Sequence, residues 1–298
     1  MRIPCTAILF VLVLPLMHAD RQAIPTPMPE PTRLMLIPPP LSLDKAVLET
    51  VFKTYVRGQA LGRRTDVFSK VGDSITVSYS FLYYIGLGQY QLGSADYLDP
   101  MIEAFSAEQA RAGNAFTNAS LAARVGWTAF SPLDPENTLS DECRPGELPL
   151  LCEYRLVRPS MAVIMFGTND VGYVDLAAYR YNLNQIVQLS LDSGVIPILS
   201  TFPNRPGYEP RVEAFNGAVY EIAQAHHVPL IDYYAATVDL PNFGLSDDNI
   251  HPSEPPRDEA TAANLRSPYL QYGYNVRNLT TLEMLYTVWW HLQQVDNP

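Results

Sequence analysis

The chain is poor in basic residues. Its 298 residues include 20 lysines and arginines against 31 acidic residues, so the formal net charge is −11 at pH 7. Proteins that bind nucleic acid or anionic membrane surfaces need clustered positive charge to contact phosphate groups. We therefore expect neither of these partners.

The chain also has no apolar run long enough to cross a bilayer comfortably. The run from Thr6 to Met17 follows the basic Arg2 and ends close to Ala19. A transmembrane helix needs about 20 apolar residues, whereas a run of this length is typical of a secretory signal. We predict a signal peptide at residues 1–19, with an uncleaved anchor as the alternative. The predicted location is secreted or extracellular, with cell-surface attachment left open and no stable membrane insertion after signal removal.

Cysteine is scarce, with three residues in the whole chain. Cys5 lies within the predicted signal, which leaves Cys143 and Cys152. Cysteines of exported proteins tend to pair, and this disulfide would stabilise the fold by roughly 2–3 kcal/mol. A pair of free thiols is the alternative. Two cysteines with no histidine nearby are too few to bind zinc, so no metal site is predicted.

Proline, in contrast, is abundant and unevenly distributed. Many of the 26 prolines lie in residues 24–40, which end in Pro38-Pro39-Pro40. A stretch of this composition is extended and semi-rigid. We predict a spacer at residues 20–42, with a tail of no function as the alternative, and a single folded domain at residues 43–298.

From residue 43 onward, short apolar segments alternate with amphipathic ones. The run 161–166 is continuously apolar, as in a strand buried on both faces, and Pro197 favours an edge or irregular position for the strand 195–199. This alternation is typical of a doubly wound α/β domain with a mainly parallel sheet. Further strands are predicted before Gly72, at 115–117 and at 230–231, and helices at 43–56, 101–111, between Asp175 and Gly194, around 212–222 and at 279–292.

Three polar segments follow predicted strands. They are Gly72-Asp73-Ser74, Gly167-Thr168-Asn169-Asp170, and the loop from Ser246 to Pro252. Folds of this class build their sites at the carboxyl ends of the strands. We therefore expect the three segments to lie close together.

These segments offer the parts of a serine nucleophile site. Acyl transfer by serine needs a hydroxyl, a base, a group that orients the base, and donors for the oxyanion. Ser74 supplies the hydroxyl and His251 the base. Asp248, three residues before the histidine, is the orienting acid, and Asp247 is the alternative.

The donors of the predicted oxyanion hole come from three segments of the chain. They are the backbone N–H groups of Ser74 and Gly126 and the side-chain amide of Asn169. Each well-placed donor stabilises the transition state by about 3 kcal/mol.

The chain resembles the SGNH (GDSL-type) hydrolase superfamily in four ordered blocks. The blocks are 72–76, 124–128, 167–170 and 248–252, and the resemblance covers roughly residues 66–255. The second block is defined by a lone glycine, Gly126. The resemblance implies a flavodoxin-like three-layer α/β/α sandwich, a serine ester hydrolase, and no metal or other cofactor. It differs from the Gly-x-Ser-x-Gly elbow of α/β-hydrolases, which is absent around Ser74.

Together, these features predict a secreted esterase or lipase-like enzyme acting on small-molecule or glycan esters. A surface-displayed glycan-binding module without catalysis is the alternative. Residues 131–152 and 253–275 are irregular and rich in proline, so either could wall a substrate pocket. The tyrosines of the second segment, Tyr269, Tyr272 and Tyr274, could stack on sugars or pack internally. The aromatic residues after Ser74 could wall a pocket or pack against the sheet. Two asparagines, Asn118 and Asn278, begin N-glycosylation sequons.

Overall fold

A parallel sheet of four strands forms the centre of the computed structural model, which describes residue 39 and residues 41–296. The strands lie in the order β1-β2-β3-β4, and every neighbouring pair is parallel. Helices flank the sheet, which confirms the predicted α/β class. The strands are β1 (Arg64–Gly72), β2 (Pro159–Met165), β3 (Ile196–Ser200) and β4 (Leu230–Ile231).

Two earlier predictions lie outside the described residues. These are the signal peptide at residues 1–19 and all but three residues of the proline-rich spacer at 20–42.

Helices make up most of the remaining regular structure. Short 3₁₀ segments occupy several of the loops between them. In chain order the α-helices of the described residues are α1 (Lys45–Ala60), α2 (Ser74–Val77), α3 (Tyr83–Gly86), α4 (Asp99–Ala107), α5 (Pro149–Val157), α6 (Asp170–Tyr173), α7 (Leu176–Asp192), α8 (Glu209–His226), α9 (Tyr233–Thr237) and α10 (Gly273–Asp296).

The core lies between the sheet and these helices. Every residue of β2 is buried, as its continuous apolar sequence predicts. Helices α7 and α8 pack on each other and on β3, while α1 and α10 contact each other and reach β3 and β4. In β1, the Phe68 ring lies edge-on to Phe105 of α4 and to Phe116. The helices therefore hold the sheet as a rigid support for the loops at its carboxyl edge.

The proline of β3 lies in an interior strand rather than at an edge of the sheet. The N–H groups of Leu199 and Thr201 donate to the β4 side, to Pro229 and Ile231. Because alternate residues of a strand face the same neighbour, Pro197 faces that side too. Strand β4 pairs with β3 only from Leu199 onward, so the missing N–H of Pro197 leaves no hydrogen bond unmade.

The predicted strand at 115–117 is wrong. Asn114 turns the chain there, because its side chain and carbonyl accept from Thr117 and its carbonyl also accepts from Asn118. Pairing with β1 is instead made by Ala123, which forms a parallel bridge with Gly72. The asparagine's local hydrogen bonds compete successfully with the extended conformation that the apolar residues favour.

Among the described residues, no helix combines the length and the apolar composition that a bilayer crossing requires. The longest helix, α10, carries polar residues that face the protein interior, including the buried Arg277 and Asn278.

Candidate active site

Ser74 occupies the first position of the one-turn helix α2, directly after β1. The carboxylate of Asp73 caps this helix by accepting from the Ile75 N–H at 2.9 Å. The turn leaves no room for a side chain at Gly72. A Cβ atom there would collide with the Thr76 hydroxyl and lie 2.7 Å from the Met165 carbonyl. The backbone N–H of Ser74 thus lies at a helix N-terminus, where negative charge is favoured.

His251 contacts the serine hydroxyl across the carboxyl edge of the sheet. Its Nε2 lies 2.9 Å from Ser74 Oγ, and its Nδ1 lies 2.6 Å from Asp248 Oδ2. The structure thus brings the predicted nucleophile, base and orienting acid into one chain of hydrogen bonds. The alternative acid, Asp247, is an exposed neighbour in the same loop.

The loop that carries His251 is closed on itself. Leu245 and Pro252 form an antiparallel bridge, and Ser246 N–H donates to the His251 carbonyl at 2.8 Å. Asn249 takes a positive φ of 57° at the loop tip. This closure holds the backbone of His251 in place, and the hydrogen bond from Nδ1 to Asp248 orients the imidazole ring.

Asp248 is the most heavily hydrogen-bonded group of this loop. Its Oδ1 accepts from the N–H groups of Ile250 and His251 and from the Ser246 hydroxyl, each at 2.9 Å. Burial acts to raise the pKa of Asp248, but the hydrogen bonds outweigh it and hold the pKa well below its usual range. The group is therefore ionised at neutral pH, as an acid that orients a histidine must be.

The parallel bridge between Ala123 and Gly72 places the second sequence block, residues 124–128, beside the turn that carries Ser74. Gly72 N–H donates to the Ala122 carbonyl, and Arg124 N–H donates back to the Gly72 carbonyl. Gly126, two residues further on, is exposed and takes a φ of 79°, which favours glycine.

Asn169 joins the third block to the second. It follows β2, and its Nδ2 donates to the Trp127 carbonyl at 2.9 Å. An amide nitrogen carries two hydrogens, so this bond leaves one donor of Asn169 for another acceptor. The three predicted oxyanion donors thus belong to loops that are bonded to one another.

Sequence reasoning missed three ionisable groups beneath this site. Asp73 and Asp170 are fully buried, and Arg277 is 2% exposed. The two aspartates were read only as parts of sequence blocks. Nothing in the local sequence links Arg277 to Ser74, about 200 positions earlier.

Cys143 and Cys152 form a disulfide, as predicted for an exported chain. With Glu147 they also make up the cluster of potential metal ligands among the described residues. Because each sulfur is bonded to the other, neither is a thiolate that could bind a metal.

A cleft lies between the chain segment that follows Ser74 and the one that follows His251. Its walls are residues 77–84 and 254–262, and we call it the tyrosine cleft because Tyr79, Tyr83 and Tyr84 line it. The prediction that the segment 253–275 walls a pocket therefore holds for its first part. Of its tyrosines, Tyr274 is buried, so it packs internally, and Tyr269 lies against Arg266.

Comparison with known proteins identifies one matching family model. It is described as the GDSL-like lipase/acylhydrolase family and matches residues 71–255. No curated protein matches the chain.

Several solved structures are similar in fold. The lipase/acylhydrolase from Enterococcus faecalis is 21% identical, with 72% of this chain and 92% of that chain covered and a TM-score of 0.47. The psychrotrophic esterase EstA from Pseudoalteromonas sp. is 16% identical, with 78% and 100% covered and a TM-score of 0.46. The acetylxylan esterase Axe2 from Geobacillus stearothermophilus is 20% identical, with 73% and 93% covered and a TM-score of 0.43.

Proposed function

This chain belongs to the GDSL-like lipase/acylhydrolase family and is a carboxylic ester hydrolase, and on that premise we propose that Ser74, His251 and Asp248 form its catalytic triad. The observation that carries the proposal is the continuous chain of hydrogen bonds from Ser74 Oγ through the imidazole to Asp248, at 2.9 and 2.6 Å. A serine hydroxyl is a weak nucleophile unless a base lies within this reach.

In the first half-reaction, Ser74 Oγ attacks the ester carbonyl carbon, and the hydroxyl proton moves to His251 Nε2. The Asp248 carboxylate stabilises the imidazolium that results. The tetrahedral intermediate collapses as the bond to the alcohol oxygen breaks, and His251 returns its proton to that oxygen. The alcohol departs and leaves an acyl group on Ser74.

In the second half-reaction, water replaces the alcohol. His251 takes a proton from the water as its oxygen attacks the acyl carbon, and the second tetrahedral intermediate expels Ser74 Oγ, which regains the proton. The carboxylic acid is released, and the enzyme returns to its starting state.

The oxyanion of both intermediates would be held by the N–H groups of Ser74 and Gly126 and by the free amide hydrogen of Asn169. The positive φ of Gly126 and the Asn169–Trp127 hydrogen bond support this assignment, because they hold the second and third blocks beside Ser74. Pre-oriented donors of this kind are typically worth about 3 kcal/mol each in the transition state.

We also propose that the chain is exported. The signal at residues 1–19 and the spacer at 20–42 would precede a single hydrolase domain at 43–298. The Cys143–Cys152 disulfide supports an oxidising compartment outside the cytosol.

The test is hydrolysis of p-nitrophenyl acetate by the purified protein. We expect Ser74→Ala to lower kcat by roughly 10⁴-fold or more, and Asp248→Asn by up to about 10⁴-fold, because the asparagine favours the wrong imidazole tautomer. Ser94→Ala is the matched control, since Ser94 is an exposed serine outside the site. Wild-type turnover in Ser74→Ala would refute the mechanism, and acetylated polysaccharide bound without acetate release would favour the non-catalytic glycan-binding module.

A further inference from the structure

The tyrosine cleft has the size of a small-molecule site. Its volume is about 470 Å³, and ligand pockets generally span about 300–1,000 Å³. It opens between two chain segments rather than within a single loop, so a ligand there would contact both walls.

The cleft begins where the catalytic residues end. One wall starts at Val77, the last residue of the one-turn helix whose first residue is Ser74. The other wall starts at Glu254, three positions after His251. A helical turn rises only about 5.4 Å, so Val77 lies within one turn of Ser74, and a substrate whose ester lies at Ser74 has a short path to this wall.

One wall presents aromatic rings. Tyr79 is 68% exposed, and its ring lies edge-on to Tyr83 with centroids 4.7 Å apart. Tyr83 in turn lies edge-on to Tyr84 at 6.3 Å. An exposed tyrosine offers a flat apolar face together with a hydroxyl, which suits a ligand that is apolar on one face and polar at its edges.

The remaining lining is polar and charged. Glu254 and Arg257 project from the second wall, and Ser78 and Thr261 add hydroxyl groups. Within the described part of the chain, neither charged side chain forms an ion pair. Covering these groups with a long acyl chain would remove them from water with no new hydrogen bonds, which is unfavourable.

One buried side chain fixes the spacing between the two walls. The amide of Asn278 donates to the Ser80 carbonyl at 2.8 Å and to the Ala262 carbonyl at 2.9 Å. Its oxygen accepts from the Leu82 N–H at 3.0 Å. The cleft is thus pre-formed, which lowers the entropy cost of binding a rigid ligand.

We propose that the tyrosine cleft is a substrate subsite that binds the sugar ring of an acylated saccharide while Ser74 attacks the ester. The sugar ring stacks its C–H face on Tyr79, and its ester and hydroxyl oxygens accept hydrogen bonds from the polar lining. This assignment rests on the proposed function, because it takes the ester of that reaction as its anchor.

The experiment compares three substrates: glucose pentaacetate, p-nitrophenyl acetate and p-nitrophenyl decanoate. In Tyr79→Ala, kcat/KM for glucose pentaacetate should fall at least tenfold relative to kcat/KM for p-nitrophenyl acetate, through a higher KM. Tyr79→Phe should retain most of the saccharide activity, because the ring remains. Tyr181→Ala is the control, since Tyr181 is exposed to a similar degree on α7, away from the cleft.

Arg257→Gln gives a second, independent test at an exposed position of the other wall. It should raise KM for glucose pentaacetate severalfold, with circular dichroism used to verify that each variant is folded. The proposal is overturned if both variants keep the wild-type ratio between the two acetates, or if the loss falls on the decanoate instead. Failure of the triad would show differently, as p-nitrophenyl acetate hydrolysis that survives Ser74→Ala.

Discussion

At the residue scale, two buried carboxyl groups close to Ser74, those of Asp73 and Asp170, make the stability of the fold depend on pH. Asp73 and Asp170 each accept one backbone hydrogen bond, from Ile75 and Ala129, at 2.9 and 3.0 Å. The second oxygen of each is buried with no partner in the described structure. Burial raises the pKa of Asp73 to about 6 and that of Asp170 to about 7, and the neighbouring Asp73 charge adds to the second shift.

The raised pKa of Asp170 predicts a stability that falls with rising pH. The unfolded carboxyl titrates near pH 3.8 and the folded one near 7, so the folded state binds more protons between these values and loses that advantage as the pH rises. Asp170→Asn removes this dependence. From pH 5 to 7.5, we expect the wild type to lose on the order of 1–3 kcal/mol more unfolding free energy than the variant.

Urea unfolding at the two pH values measures this difference. Asp239→Asn is the control, because Asp239 is an exposed aspartate. Equal pH slopes in the wild type and Asp170→Asn would contradict the prediction.

Two other residues show how burial changes the meaning of a sequence motif. Asn118 and Asn278 begin N-glycosylation sequons, yet they are 2% and 1% exposed. The side chain of Asn118 is hydrogen-bonded to Ala112 and Glu153. That of Asn278 joins the two walls of the tyrosine cleft through its hydrogen bonds to Ser80 and Ala262. Neither amide is accessible for glycan attachment in the folded chain.

At the scale of secondary-structure elements, the one-turn helix α2 depends on α10. A helix of four residues cannot be stable by itself. Arg277 of α10 donates to the Ile75 carbonyl at 2.6 Å and to the Thr76 hydroxyl at 3.0 Å, and its guanidinium lies 3.6 Å from the Phe81 ring centroid. Arg277 is therefore a positioning residue, which supports the turn that presents Ser74.

Replacing this arginine should impair both the fold and the reaction. We expect Arg277→Met to lower the unfolding free energy by roughly 2–4 kcal/mol, because buried acceptors lose their donor. Arg277→Lys keeps the charge but not the forked geometry, so kcat should fall about tenfold with little change in KM. Thermal unfolding and p-nitrophenyl acetate kinetics measure the two effects.

The control for this prediction is Arg57→Met. Arg57 pairs with Asp192 at 3.9 Å on the surface, and such pairs contribute about 0–1 kcal/mol. If Arg277→Lys kept wild-type kcat, the positioning role would be wrong, whatever the loss of stability.

At the scale of the whole molecule, the disulfide is the covalent constraint on the fold. It joins Cys143 in a long loop to the buried Cys152 of α5. By limiting the unfolded chain, it should stabilise the protein by roughly 2–3 kcal/mol. Urea unfolding of the Cys143→Ser/Cys152→Ser double variant should show this loss. A reducing agent should destabilise the wild type and leave the double variant unchanged, and equal stability of the two proteins would contradict the prediction.

Much of the architecture and the arrangement of the site could be predicted from sequence. Short apolar runs identified the strands of the sheet, because a strand that is buried on both faces is continuously apolar, as β2 is. Strand ends then indicated where Ser74, Asn169 and His251 would meet, since parallel strands end at one edge. Ser74 and Asn169 lie within a few residues of the ends of β1 and β2, whereas His251 follows β4 by 20 positions and is identified by its spacing from Asp248.

The rest depends on contacts that no local pattern encodes. The strand predicted at 115–117 failed because Asn114 closes a turn there. The role of Arg277 was invisible because its partners lie more than 200 positions away. Sequence alone also left open whether the tyrosines after Ser74 wall a pocket or pack against the sheet, and the cleft lined by Tyr79, Tyr83 and Tyr84 depends on its opposite wall at 254–262.

The contact between Arg277 and helix α2 also has a consequence for the order in which the chain is synthesised and folds. Chains are synthesised and fold from the N-terminus, domain by domain. Ser74 therefore exists long before His251, 177 positions later, and its supporting arginine follows 26 positions after that. On the proposed mechanism, a partly synthesised chain has Ser74 but neither His251 nor Arg277, so hydrolytic activity begins only after α10 has been made and has packed against α2.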